Sequence, residues 1–188
     1  MKTFICLVRH GQTDWNKATK IQGRIDIPLN DTGRMQAKEA GYKILDSNIK
    51  YDVFLASPLS RAKETGQIIQ QILGDTTKII TRENLTEREF GEGDGLTIND
   101  DTYEIVLRDG FKGMEKAFDI KKRAMKEILE IVKLYEGKNI LIATHSHFIK
   151  ALFINIDPSI TFKGLLRNGS TNYVTFEDGK IIDSKFNQ

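Results

Sequence analysis

The run Phe4-Ile5-Cys6-Leu7-Val8-Arg9-His10-Gly11 decides the fold. Five consecutive apolar residues suit a strand covered on both faces, because neither alternating set of side chains then points to water. The pattern returns late in the chain, where Ile140-Leu141-Ile142-Ala143-Thr144 leads into His145. Each run ends on a histidine. In open α/β sheets, ligands bind outside the carboxyl ends of the strands. If the two strands are neighbours, both imidazoles face one crevice. One histidine at a strand end is ordinarily a solvated loop residue; two with the same placement point to a shared site. His147 lacks that placement and is assigned no role.

Outward from these strands, helical and extended patterns alternate. Asn30 caps a helix over residues 31–47, with Met35, Ala37, Ala40, Ile44 and Leu45 as candidate core positions. Residues 52–56 read as a second strand, and Ser57-Pro58 supplies a cap and a first-turn proline for a helix ending near Leu73. Residues 78–81 form a short strand, and the polar stretch 84–101, with Gly91, Gly93 and Gly95, reads as an irregular loop. Ile120, Ala124, Ile128, Ile131 and Val132 repeat at helical spacing within 115–135. Residues 139–143 are the second buried strand, and 148–154 begin another helix. Residues 173–176 and 180–182 flank Asp178-Gly179 as a terminal hairpin. The alternation predicts an α/β fold with a mostly parallel central sheet and an antiparallel edge.

The 188 residues fit one domain spanning 1–188, with no repeat or linker composition. A net charge of +2 argues against a nucleic-acid or membrane surface, while leaving room for a local basic pocket. The single cysteine, Cys6, permits no intrachain disulfide and reads as a small buried hydrophobe. Lys2 and a five-residue apolar run are too short for a signal-peptide core or a membrane span, so the expected location is cytoplasmic.

Arginines stand close to the presumed crevice. Arg9 precedes His10, and Arg61 falls in the first turn of the helix after Ser57-Pro58, where free N–H groups favour an anion. Guanidinium groups grip phosphoryl oxygens bidentately. Asn16 and Gln22 add neutral donors in the loop after His10. Motifs of rival chemistries are missing: there is no Gly-x-x-x-x-Gly-Lys-Ser/Thr loop, no His-Glu-x-x-His pair or cysteine cluster, and no Gly-x-Ser-x-Gly elbow.

Leu7-Val8-Arg9-His10-Gly11-Gln12-Thr13-Asp14-Trp15-Asn16 resembles the signature of the histidine phosphatase superfamily, which includes the cofactor-dependent phosphoglycerate mutases. The likeness continues through Gln22-Gly23-Arg24, Ser57-Pro58-Leu59-Ser60-Arg61-Ala62, Leu85-Thr86-Glu87, Thr144-His145 and Asn168-Gly169-Ser170. It implies a phosphoglycerate mutase-like three-layer α/β/α sandwich. By the same resemblance, His10 is the phosphorylated nucleophile. Arg9, Arg61 and His145 hold the phosphoryl group, and Glu87 is the proton donor. Asn16, Gln22, Gly23, Arg88 and Ser146, the last through its backbone N–H, complete the substrate pocket. No metal and no cofactor is implied, and the expected partner is a small phosphorylated metabolite. Ser146, His147, Glu64, Gly66 and Gly93 depart from the commoner family residues.

Three readings follow from the resemblance. The favoured one is a phosphatase that hydrolyses phosphate monoesters. The second is a phosphotransferase of the mutase type, suggested by Glu87-Arg88-Glu89-Phe90-Gly91, although Phe90 and Ile98 stand where mutases tend to carry tyrosine and lysine. The third is a non-catalytic or protein-directed phosphate-binding member. Specificity is expected in the segment 88–118, through Phe90, Ile98, Tyr103, Arg108 and Lys112.

Overall fold

The structure, a computed structural model, describes residues 1–188. In chain order it comprises β1 (Lys2–Arg9), α1 (Asp14–Lys17), α2 (Asp31–Asp46), β2 (Val53–Ala56), α3 (Ser60–Ile72), β3 (Ile80–Thr81), α4 (Asp100–Leu107), α5 (Ala117–Leu134), β4 (Asn139–Thr144), α6 (Ser146–Ile156), β5 (Thr171–Glu177) and β6 (Lys180–Lys185). The strands form one sheet in the order β3-β2-β4-β1-β5-β6. The first four in that order run parallel, and β5 and β6 add the antiparallel edge. Asp178 and Gly179, both at positive φ, make the tight turn of the terminal hairpin.

The unbroken apolar runs serve two cores at once. Cys6, Val8 and Leu141 pack with Ala40 and Ile44 of α2 and Ile69 of α3. The alternate residues Ile5, Leu7, Ile140 and Ile142 pack on the opposite face with Ile120, Ala124 and Ile128 of α5 and Phe148 and Leu152 of α6. The result is the expected α/β/α sandwich, with α2 and α3 on one side and α5 and α6 on the other. Each large apolar side chain so buried contributes about 1.5–3 kcal/mol relative to exposure. No helix is long and apolar enough to cross a membrane.

Several local expectations need correction. In α2 the buried stripe is Gly33, Ala37, Ala40, Gly41 and Ile44, whereas Met35 and Leu45 are 62% and 44% exposed. Met35 lies two residues from Ala37, about 200° around the helix, and therefore faces away. The stripe is small because α3 lies close; a Cβ on Gly41 would sit 2.7 Å from Ile72 Cδ1. The helix α3 begins at Ser60, not directly after Ser57. Ser57 Oγ instead accepts from the Leu59 N–H at 3.3 Å, which keeps the chain extended for two more residues. The first turn is capped from another loop, where Asp26 accepts from the Ser60 N–H at 2.8 Å and from its hydroxyl at 2.7 Å.

The stretch 84–101 is largely irregular, apart from two 3-10 turns, but α4 follows it unannounced by any apolar stripe. Its start is marked by Asn99 and Thr102, whose side chains satisfy each other's backbone N–H groups at 2.9 Å. Nearer the carboxyl ends of the strands, Gly11 and Gly33 meet backbone to backbone. A Cβ on Gly11 would fall 2.1 Å from the Gly33 carbonyl oxygen. That contact seats α2 against the loop that leaves β1.

Truncation of the central strand should be costly. Ile142→Ala is expected to lower unfolding free energy by about 2–5 kcal/mol in urea denaturation. Met35→Ala, on the solvent side of α2, should change it by less than about 0.5 kcal/mol. Equal losses would contradict the two-core description.

Candidate active site

The register of β1 on β4 sets the site. Arg9 pairs with Thr144, and the His10 N–H donates to the Thr144 carbonyl at 3.0 Å. The next residues out of the sheet are therefore His10 and His145, whose rings lie 5.1 Å apart at 61°. Both are buried. His10 Nδ1 lies 2.7 Å from the Gly11 carbonyl oxygen. A carbonyl only accepts, so Nδ1 carries the hydrogen and Nε2 keeps a free lone pair.

Neighbouring loops fix this geometry. Asn168 Nδ2 donates to the His10 carbonyl at 3.0 Å. Thr65 Oγ1, on α3, accepts from the Gly11 N–H at 3.1 Å and donates to the Arg61 carbonyl at 2.7 Å. One hydroxyl thus couples the loop after His10 to the turn that carries Arg61. The Arg61 guanidinium is buried and donates to the carbonyls of Ile25 and Gly23, each at 2.8 Å. The Arg9 guanidinium donates to the Leu166 carbonyl. His145 Nε2 lies 2.7 Å from Ser57 Oγ, which accounts for that serine being withheld from capping α3.

Three buried nitrogens around His10 have no hydrogen-bond partner: Arg9 Nε, Arg61 Nε and His145 Nδ1. Buried polar atoms are normally satisfied, and unsatisfied donors beside two guanidinium groups mark a place for an anion. Burial, reinforced by Arg61 and then Arg9, holds the His10 imidazole well below its ordinary pKa of 6.5. Burial and Arg61 do the same to His145. His10 and His145 are therefore both neutral imidazoles. Burial lowers Arg9 to about 10, so it stays cationic at neutral pH.

Glu87 is buried at the amino end of α6. Its carboxylate accepts from the His147 N–H at 3.0 Å and from the Arg88 N–H at 2.9 Å. Free N–H groups and the dipole of a helix start suit a carboxylate. Its backbone carbonyl accepts from Arg24 at 3.2 Å and Arg123 at 3.4 Å. His147 is thus a site residue that sequence reasoning missed. Its contribution to Glu87 is a backbone N–H, which no side-chain pattern announces. Its ring lies over Phe162 at 4.9 Å and meets Phe90 edge-on at 5.1 Å, and it lines the cavity.

The cavity has a volume of about 290 Å³ and brings together Arg9, His10, Asn16, Gln22, Gly23, Arg61, Glu87 and Ser146. Gln22 Oε1 accepts from the Thr13 hydroxyl at 2.8 Å, and Asn16 Oδ1 accepts from the Thr13 N–H at 3.1 Å. Both amide nitrogens remain as donors. His145, its ring 5.1 Å from that of His10, is not among the residues that line the cavity. Arg88 is not brought to the cavity wall: it is wholly buried, ion-paired with Asp109, and donates through Nε to the Glu115 carbonyl at 2.9 Å. From the segment 88–118, Phe90, Ile98, Tyr103 and Val106 line the cavity, whereas Arg108 and Lys112 do not. No group of three or more His, Cys, Asp or Glu side chains is arranged to hold a metal ion.

The histidine phosphatase superfamily (branch 1) model matches residues 5–188. The chain belongs to this superfamily. Among similar superfamily proteins, a Bacillus subtilis (strain 168) protein named "Uncharacterized phosphatase PhoE" is 34% identical over 95% of this chain and 91% of its own length. A metal-independent phosphoserine phosphatase of Arabidopsis thaliana is 31% identical over 97% of this chain and 80% of its own. A solved phosphoserine phosphatase of Entamoeba histolytica, in complex with phosphoserine, superposes with a TM-score of 0.83 at 29% identity, covering 98% of this chain and 96% of that one. The phosphoglycerate mutase-like fold is thereby shown, and the similar proteins include ones named as phosphoglycerate mutases as well as ones named as phosphatases.

The site electrostatics predict a specific titration. A depressed pKa means the neutral form persists to lower pH, so His10 and His145 should still be neutral at pH 6. Imidazole resonances followed by ¹⁵N NMR should show Nε2 of His10 unprotonated there. A midpoint near 6.5 for either ring would contradict the burial and arginine effects described above.

Proposed function

We propose that this chain hydrolyses small phosphate monoesters through a phosphohistidine on His10 Nε2. The observation that carries the proposal is the Gly11 carbonyl on Nδ1, which leaves Nε2 bare beside Arg9 and Arg61 in the cavity. In the first step the Nε2 lone pair attacks phosphorus, the N–P bond forms and the P–O bond to the leaving group breaks. Glu87 gives that oxygen its proton and an alcohol departs. In the second step water attacks phosphorus, the N–P bond breaks and the lone pair returns to Nε2. The water proton goes to Glu87, which restores the starting state.

Arg9 and Arg61 take the role of holding the phosphoryl oxygens, His145 joins them only through its unpartnered Nδ1 from beside the His10 ring, and Asn16, Gln22, Gly23 and the Ser146 backbone support the pocket. Positioning and charge stabilisation dominate phosphoryl transfer, so buried guanidinium groups suffice for much of the work a metal does elsewhere. The Glu87-Arg88 pattern does not carry the reading with a second hydroxyl as acceptor. In the mutase-like pattern an arginine follows the acid, yet here that guanidinium is tied to Asp109 and Glu115 and contributes nothing to the cavity. A monophosphoglycerate offered with a bisphosphoglycerate primer should release free phosphate rather than an isomerised ester.

His10→Ala is expected to abolish turnover. Glu87→Gln should cost roughly 10²–10⁴-fold on esters with poor leaving groups and much less on 4-nitrophenyl phosphate. Equal losses on both would remove Glu87 from the proton-donor role. Added chelator should leave the rate unchanged, and a full loss would contradict the metal-free mechanism.

A further inference from the structure

Lys150 is a buried cation in the cavity for which the phosphoryl chemistry has no use. It lies on α6, one turn beyond His147. Its ammonium donates to the Phe162 carbonyl at 2.8 Å, and the Tyr103 hydroxyl donates to that same oxygen at 2.5 Å. An ammonium has three N–H bonds, and no carboxylate is paired with this one; Glu87 exerts only a weaker opposing influence. A buried charge without a partner is costly and ordinarily shifts its protonation to escape. Burial, with Arg9 adding to it, has brought Lys150 down to about 8, so it is still mostly cationic at neutral pH.

The other lysines of the cavity differ. Lys20 lies over the Trp15 ring, and Lys163, exposed at the rim, faces Glu104 at 3.9 Å. Lys150 alone of the three is enclosed. The cavity also carries a surplus of positive charge, with Arg61 and Lys150 buried and Arg9 half-buried against the single acid Glu87. Part of the wall between is apolar, formed by Phe90, Ile98 and Val106. Lys150 lines the same cavity of about 290 Å³ as His10. A compact ester in that cavity can meet both.

We infer that Lys150 is a specificity-determining residue that receives a second anionic group of the substrate, a carboxylate or a second phosphoryl group, while the reacting phosphoryl group sits on His10. The inference rests on the hydrolytic reading above. The preferred substrate is then a small phosphate monoester carrying a second negative charge, and a neutral alkyl ester is a poor one.

Two matched substrate pairs test this. 3-Phosphoglycerate against glycerol 3-phosphate exchanges a carboxylate for a neutral hydroxymethyl group. Propane-1,3-diol bisphosphate against 3-hydroxypropyl phosphate exchanges a second phosphoryl group for a hydroxyl. In at least one pair the doubly anionic member should have a kcat/KM about 10–100-fold higher, as a charge-assisted hydrogen bond provides. The pair that shows it identifies the second group. In Lys150→Met that ratio should fall toward one, and in Lys150→Arg most of it should return. Lys150→Gln, which keeps a donor for the Phe162 carbonyl without the charge, should behave as the methionine variant does. Ratios near one in both pairs, with the neutral esters turned over, would overturn the assignment and leave the hydrolytic reading intact. So would a ratio unchanged in both uncharged variants. No turnover of any ester would instead remove the hydrolytic reading on which the inference rests.

Discussion

The parallel pairing of β1 with β4 is the constraint on which the rest depends. It buries two unbroken apolar runs and brings both out of the sheet at one level, at Arg9 and Thr144. His10 and His145 are consequently neighbours before any side chain is considered. The elements around them finish the site: Thr65 ties α3 to the loop after His10, and the amino end of α6 holds Glu87. The fold supplies position and the loops supply charge.

That charge is maintained against burial. Arg9 and Arg61 are cations of one cavity, each with a buried guanidinium Nε left without a partner. Burial, reinforced by Arg61 and Arg9 at His10 and His145 and by Lys150 and Arg88 at His147, holds all three imidazoles neutral, well below 6.5. Histidines with depressed pKa values bind fewer protons folded than unfolded. They therefore weaken the folded state as pH falls below about 6.5, where the unfolded chain begins to take up protons.

Much of this was legible in the sequence because it rests on periodicity. The buried strands, the cap at Asn30 and the stripe of α5 follow from where apolar and capping residues fall. Met35 and Leu45 misled because both are apolar on a helix whose real contact face is made of glycine and alanine. Ser57-Pro58 reads as a helix start, yet the serine hydroxyl is committed to His145. The roles of His10, Arg61 and Glu87 came from motif likeness, and Arg88 shows its limit. Sequence adjacency to Glu87 does not reveal that the side chain turns inward to Asp109. His147 was invisible because its bond to Glu87 comes from the backbone and its ring is fixed by Phe90 and Phe162, distant in sequence.

The most direct measurement of the central claim is the site of the phosphoryl group on the enzyme. Acid-labile, base-stable label trapped from a rapidly quenched ester reaction can be assigned by two-dimensional ³¹P–¹H NMR of the labelled peptide. The account predicts one phosphohistidine, on Nε2 of His10, because the Gly11 carbonyl holds the hydrogen on Nδ1. A label on Nδ1, a label on His145, or turnover in which His10 never becomes phosphorylated would contradict it.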